Sequence, residues 1–174
     1  MIIKEKRIMV CVRFVNTEAD YIEASIACSY GSWRAGVDLI LEILGFIVGI
    51  ISLGVFGFSW IWMVLIFGSV VGLIFRLLGY YVLPRIRYRN EPKYKDEYLL
   101  EFDEDGIKFK TDSIESKLDW SIYNKMIETG NLYIMIYGKY NFSIIPKRAL
   151  LKEPERIEFN MLIDKHIKEK VIKI

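Results

Sequence analysis

Residues Ile43 to Phe75 read ILGFIVGIISLGVFGFSWIWMVLIFGSVVGLIF, a stretch with no Asp, Glu, Lys or Arg. Working outward, the wider segment from Val37 to Leu83 carries only Asp38, Glu42 and Arg76. At 1.5 Å per residue a single helix of this length would extend about 70 Å, more than twice a hydrocarbon core of about 30 Å, so one pass cannot hold it and two can. Gly54-Val-Phe-Gly57-Phe-Ser59 supplies the turn. The sequence therefore predicts a transmembrane helical hairpin over 37–83, with helices at about 37–53 and 60–83. Ten Leu, Ile, Val or Phe residues between Ile43 and Phe56, each favouring insertion by roughly 0.3 to 0.6 kcal/mol, outweigh one carboxylate near the interface. A simple soluble domain is excluded on this reading. The mixed polar residues 1–36 do not read as a signal peptide.

The remaining charge lies on either side of this segment. The chain of 174 residues has 24 Lys and Arg against 22 Asp and Glu, a net charge of +2, which argues against nucleic acid as a partner. Arg85, Arg87, Arg89, Lys93 and Lys95 follow the second helix, whereas the turn is uncharged. The positive-inside rule then places both termini in the cytoplasm of a multi-pass plasma-membrane protein. Arg85, Arg87 and Arg89 also suit an anionic leaflet, at about 1 kcal/mol each. Trp60 and Trp62 near the turn, with Trp33, Tyr80 and Tyr81 at the other end, match the headgroup levels. Cys11 and Cys28 have neither metal spacing nor a framework pattern and read as free thiols.

Within the hairpin, Glu42 and Arg76 fall at similar depth near the cytoplasmic boundary and are expected to pair. An intramembrane ionisable residue marks a functional hypothesis, here a small transport component. Mutual neutralisation near the interface is the structural alternative, and it suits a two-span chain better. Gly45-x-x-x-Gly49 is expected opposite Gly68-x-x-x-Gly72, which would let two helix backbones approach within the chain or between chains of a homo-oligomer.

Before the hairpin, residues 1–36 read as a strand and a short helix. The strand, from Ile2 to Val15, has Ile8, Val10, Val12 and Phe14 on one face. The helix starts at Thr17, an N-cap with Asp20 as its capping-box acid. After the hairpin, residues 91–174 read as a small antiparallel β-domain that folds by itself. Its strands are expected at 98–102, 107–111, 115–120, 123–129, 132–137 and 140–145. Asp103-Glu-Asp-Gly106 and Gly130-Asn131 are its turns, the latter of the primed kind with a positive φ at glycine. A C-terminal helix begins near Pro154 and packs Phe159, Leu162, Ile163 and His166 on the sheet. The fold class is thus α+β, a membrane hairpin joined to a β-domain.

Three groups of residues resemble the YcxB-like family of bacterial membrane proteins. They are Phe14-x-x-Thr17-Glu18-x-Asp20-Tyr21, then Phe102-Asp-Glu-Asp-Gly106-Ile107 with Trp120 beyond it, and Phe142-Ser-Ile-Ile-Pro146-Lys147-Arg148-Ala149-Leu150. The resemblance takes in nearly the whole chain, spans included. It implies a two-span protein with a cytoplasmic, pleckstrin-homology-like C-terminal barrel or sandwich, and it implies no defined activity.

The side chains form no catalytic constellation, cofactor site or metal cluster, so the expectation is a protein that is not an enzyme. Lone His166 reads as structural. Asp103, Glu104 and Asp105 read as a solvated turn rather than a divalent-ion loop. Lys147 and Arg148 are the best candidates for a phosphate or an acidic partner, unless they complement Glu153 or Glu155. Trp120 is either a recognition residue or a core anchor. The Asn141-Phe-Ser143 sequon would go unused in the cytoplasm. The expected function is a membrane-anchored binding module that presents its β-domain to a protein partner beside the bilayer, and the alternative is a self-protection factor against a membrane-acting toxin.

Overall fold

The structure is a computed structural model that describes residues 9–29, 33–112, 114–138 and 141–172. The expected strand positions 2–8, the Gly31-Ser32 break and Tyr140 lie outside the described residues, as does the side chain of Trp33. The chain divides into two compact units, one of Ser25–Arg87 and one that joins residues up to Ala24 to those from Tyr88 onward.

In the first of these units, α2 (Trp33–Phe56) and α3 (Trp60–Leu77) form an antiparallel helical hairpin. Two helical stretches, Gly36–Phe56 and Trp60–Asn90, are long and apolar enough to cross a membrane. Gly57 closes the turn at φ +77°, a conformation glycine adopts without a Cβ penalty. Ser59 then caps α3, its hydroxyl accepting from the Ile61 amide at 3.4 Å. The second helix does not run on regularly to residue 83. A π-helical turn at Leu78–Val82 interrupts it, and α4 (Leu83–Asn90) follows. Most of the large apolar side chains of α2 and α3 are exposed, Phe67 and Phe75 at 71% and 70% among them.

The second unit is built on two four-stranded sheets. The first has the order β1 (Val10–Val15), β2 (Glu97–Asp103), β3 (Gly106–Lys110), β4 (Glu115–Leu118), all antiparallel. The second has β7 (Asn141–Pro146), β6 (Leu132–Tyr137), β5 (Tyr123–Glu128) and β8 (Glu169–Ile172) in that order. Between β7 and β8 runs α5 (Glu153–His166). Alternation places Val10, Val12 and Phe14 inward on β1. They join Leu100, Phe102, Ile107, Met126, Tyr133, Met135 and Ile145 from the other strands, and Phe159, Leu162 and Ile163 from α5, in one buried cluster. Phe102 and Phe159 meet edge to face at 5.1 Å between ring centroids.

β6 is buried on both faces, as its unbroken apolar run requires. Tyr133 and Met135 enter the cluster, and Leu132 and Ile134 are buried on the opposite face. α1 (Glu18–Ser29) contributes to that outer cover through Tyr21, whose ring lies 5.9 Å from Phe142.

Four sequence expectations are corrected. The β-domain is not confined to residues 91–174, because β1 pairs with β2 from Val10↔Phe102 to Val15↔Glu97 and supplies three core side chains. The helix does not end the domain, since β8 follows it and pairs parallel to β5, making the second sheet mixed rather than antiparallel. β4 stops at Leu118, and Trp120 sits in a 3-10 turn capped by Asp119, whose carboxylate accepts from the Ser121 amide at 2.8 Å. Gly130 has no positive φ. Its turn is held instead by the Thr129–Leu132 backbone bond at 2.9 Å and by Lys147 N donating to Asn131 O at 2.8 Å.

Phe102→Ala and Phe159→Ala should each cost about 3–5 kcal/mol. A double-mutant cycle between them should return a coupling of about 0.5–1.5 kcal/mol. Urea unfolding followed by tryptophan fluorescence measures both, and additive losses would mean that the two rings do not touch.

Candidate functional site

A cluster of polar side chains lies where β7 ends and α1 begins. Thr17 and Asp20 form the expected capping box: the Asp20 amide donates to Thr17 Oγ1 at 3.2 Å, and the Thr17 amide donates to Asp20 Oδ2 at 2.7 Å. Such a pair satisfies the first amides of a helix, which have no partner within it. Here the same carboxylate has a second task. Arg148, in the 3-10 turn Lys147–Ala149 that follows β7, donates from Nη1 to Asp20 Oδ1 at 2.7 Å and from Nη2 to Oδ2 at 2.5 Å. Its Nη2 also donates to the Val15 carbonyl at 3.2 Å, at the end of β1.

This two-pronged geometry suits the planar guanidinium and fixes orientation as well as charge. The Asp20 side chain is only 5% exposed. Burial by itself pushes its carboxyl up, but the hydrogen bonds from Arg148 and Thr17 outweigh that and hold it below the ordinary carboxylate range.

Lys147 is engaged in a similar way. Its Nζ lies 2.9 Å from Glu128 Oε1 and 5.1 Å from the centroid of the Tyr133 ring. Neither base pairs with Glu153 or Glu155, whose ion-pair partners are Arg156 and Lys152. A phosphate or acidic peptide reaching Lys147 or Arg148 would have to displace a carboxylate of this chain.

The first turns of α1 are held from further directions. Thr129 Oγ1 and Asn131 Nδ2 donate to the Glu23 carboxylate at 2.5 and 3.1 Å. The Tyr88 hydroxyl donates to the Asn16 carbonyl at 2.7 Å. Arg89 donates from Nε and Nη2 to the two Glu18 carboxylate oxygens at 3.0 and 3.3 Å. Arg85, Arg87 and Arg89 are all exposed on α4.

Trp120 takes the place of a core anchor. It is 5% exposed, its indole N–H donates to the Asp103 carbonyl at 2.8 Å, and it stacks on His166 at 4.9 Å. In the acidic turn, Asp103 accepts from the Asp105 amide at 2.8 Å, and Glu104 pairs with Lys165.

In the hairpin, Arg76 donates to both oxygens of Glu42 at 3.0 Å, with the two side chains 13% and 20% exposed. The glycines divide. A Cβ on Gly49 would lie 2.6 Å from Ile66 Cγ1, one on Gly45 2.7 Å from Ser69 Oγ and one on Gly72 3.0 Å from Glu42 Oε1, whereas Gly68 faces open space. Gly45 thus opposes Ser69 and Gly49 opposes Ile66, rather than the two glycine pairs facing each other.

The sequence separation between Arg148 and Asp20 hid their pairing, and only the closeness of both to apolar strand or helix ends hinted at burial. Arg148→Ala should destabilise the second unit by about 1–3 kcal/mol at neutral pH. Adding Asp20→Asn should cost little more, because the two changes remove one interaction. With a folded pKa below the unfolded one, the Asp20 contribution is complete above the ordinary carboxylate value of about 3.9 and is lost as pH falls through the folded value. Unfolding curves between pH 7 and pH 3 should therefore show the Arg148→Ala deficit shrinking only at the acid end.

No curated protein and no solved structure matches the chain. The matched family region runs from β2 to α5 and includes Trp120, Lys147 and Arg148, and it leaves out the hairpin and the capping-box segment. Over residues 102–163 the chain matches the model of the YcxB-like protein family, and the resemblance read from the sequence is borne out there.

Proposed function

We propose that this chain is a membrane-anchored, non-enzymatic binding module, whose hairpin crosses the plasma membrane twice and holds a pleckstrin-homology-like domain at the cytoplasmic face. The observation that carries this reading is the contrast between the two units. One exposes apolar side chains along two helices of membrane-spanning length. The other has a core of its own and a surface dense in paired charges. Tethering raises the local concentration of a domain for anything at the same surface.

Two four-stranded sheets and one helix around a shared core support the pleckstrin-homology-like reading. Arg85 and Arg87, exposed on α4 beyond the second long helix, support cytoplasmic termini, since retained cations set orientation. Protein is favoured over a lipid headgroup as partner, because Lys147 and Arg148 already have carboxylate partners. Ile157 and Met161, one helical turn apart on α5 and 53% and 54% exposed, offer an apolar contact instead.

A photo-crosslinking residue placed at Ile157 or Met161 in living cells should give a discrete protein adduct, and the same residue at Phe67 should not. Protease added to inverted membrane vesicles should remove the β-domain, while intact cells protect it. Absence of any adduct from α5 would remove the binding role, and digestion in intact cells would reverse the orientation.

A further inference from the structure

At the tip of the hairpin only Gly57, Phe58 and Ser59 are non-helical. The side chains around them are apolar and bare: Phe56 is 75% exposed, Phe58 81% and Trp60 70%. No charged residue lies between Glu42 and Arg76. A water-filled loop would hydrate this whole apolar cluster, which is unfavourable. Hydrocarbon suits the tip no better, because one helix ends and another begins there. Helix ends carry carbonyls and amides without intrahelical partners, and hydrocarbon has nothing to pair with them. Ser59 meets part of this need through its bond to the Ile61 amide at 3.4 Å, and its carbonyl accepts from the Met63 amide at 3.3 Å. The headgroup layer offers both apolar contact and hydrogen-bonding groups, and Trp is the side chain enriched there. Trp60 and Trp62 flank the turn, with Trp62 6.3 Å from the Phe56 ring.

Helix length agrees with this placement. Phe58 follows Glu42 by sixteen residues and precedes Arg76 by eighteen, which is about 24 and 27 Å of helix. The hydrocarbon core is about 30 Å thick. With the Glu42–Arg76 pair just inside the near boundary, the chain is used up as it reaches the far one.

We infer that residues 56–62 seat in the far headgroup layer, with Trp60 and Trp62 as anchors, and that the hairpin has no water-filled loop on that side. The inference rests on the membrane-spanning reading proposed above. It means that the far end of the hairpin meets lipid headgroups and offers no aqueous loop to a soluble partner.

The test uses the full-length chain with Cys11→Ser and Cys28→Ser, a single spin-labelled cysteine, and vesicles of phosphatidylcholine and phosphatidylglycerol. Collisions of the label with dissolved oxygen and with a water-soluble nickel chelate report its depth. Glu115→Cys, at a side chain 72% exposed on β4, is the water reference. Phe67→Cys is the mid-span reference. Phe58→Cys should lose most of the chelate collisions seen at Glu115→Cys and keep more than Phe67→Cys does. Ser59→Cys gives the same reading if Phe58→Cys does not insert. A chelate rate equal to that of Glu115→Cys would show an aqueous loop and overturn the inference, and a rate as low as that of Phe67→Cys would overturn the headgroup seating. A chelate rate at Phe67→Cys equal to that at Glu115→Cys would overturn the spanning reading beneath it.

Discussion

On the membrane-anchored reading proposed above, the uncharged stretch from Ile43 to Phe75 is taken out of water, which accounts for the exposure of its apolar side chains along α2 and α3. Helices satisfy their own backbone within the segment, which is why apolar surroundings select them. Within lipid, packing two such helices would depend on close approach more than on apolar burial, since lipid is as apolar as the side chains. Gly49 and Gly45 allow that approach, because added Cβ atoms would strike Ile66 and Ser69. Two charges at the base are tolerated because each neutralises the other in a two-bond pair, and Gly72 leaves room for the Glu42 carboxylate.

The second unit answers to a different constraint. Its first sheet is incomplete without β1, a strand that precedes the hairpin in sequence, while the remaining strands follow it. The N-terminal segment therefore has to be captured by residues far along the chain. Arg148 and the capping box do this: Asp20 starts α1 and receives Arg148 with the same carboxylate, while Glu18 and Glu23 receive Arg89, Thr129 and Asn131. Lys147 and Arg148 stand side by side at a strand end, yet each is turned to a carboxylate of this chain. Arg148 joins the N-terminal segment to the rest of the domain, whereas Lys147 reaches β5 within its own sheet.

Local features were legible in the sequence. The helix pair, its turn, most strands, the capping box and the inward face of β1 all follow from periodicity, caps and breaks, which act over a few residues. The Glu42–Arg76 pair was legible too, because an antiparallel hairpin with a known turn fixes depth by counting. Contacts set by the tertiary fold were not. Nothing within a few residues of Arg148 points to Asp20. Gly130 looks like a primed turn until Lys147 and Glu23 are seen to hold it. Glu169-Lys-Val-Ile172 is too short and too charged to declare itself a strand before β5 is there to pair with. Helix rotation separates Gly68 from its three companions, and counting depth gives no rotation.

The central claim is that lipid surrounds α2 and α3, and alkaline carbonate extraction of membranes from cells that make the full-length chain tests it most directly. The account predicts that the protein stays in the membrane pellet after extraction and is released only by detergent. Its appearance in the carbonate supernatant, or a monodisperse detergent-free preparation of the whole chain, would contradict it.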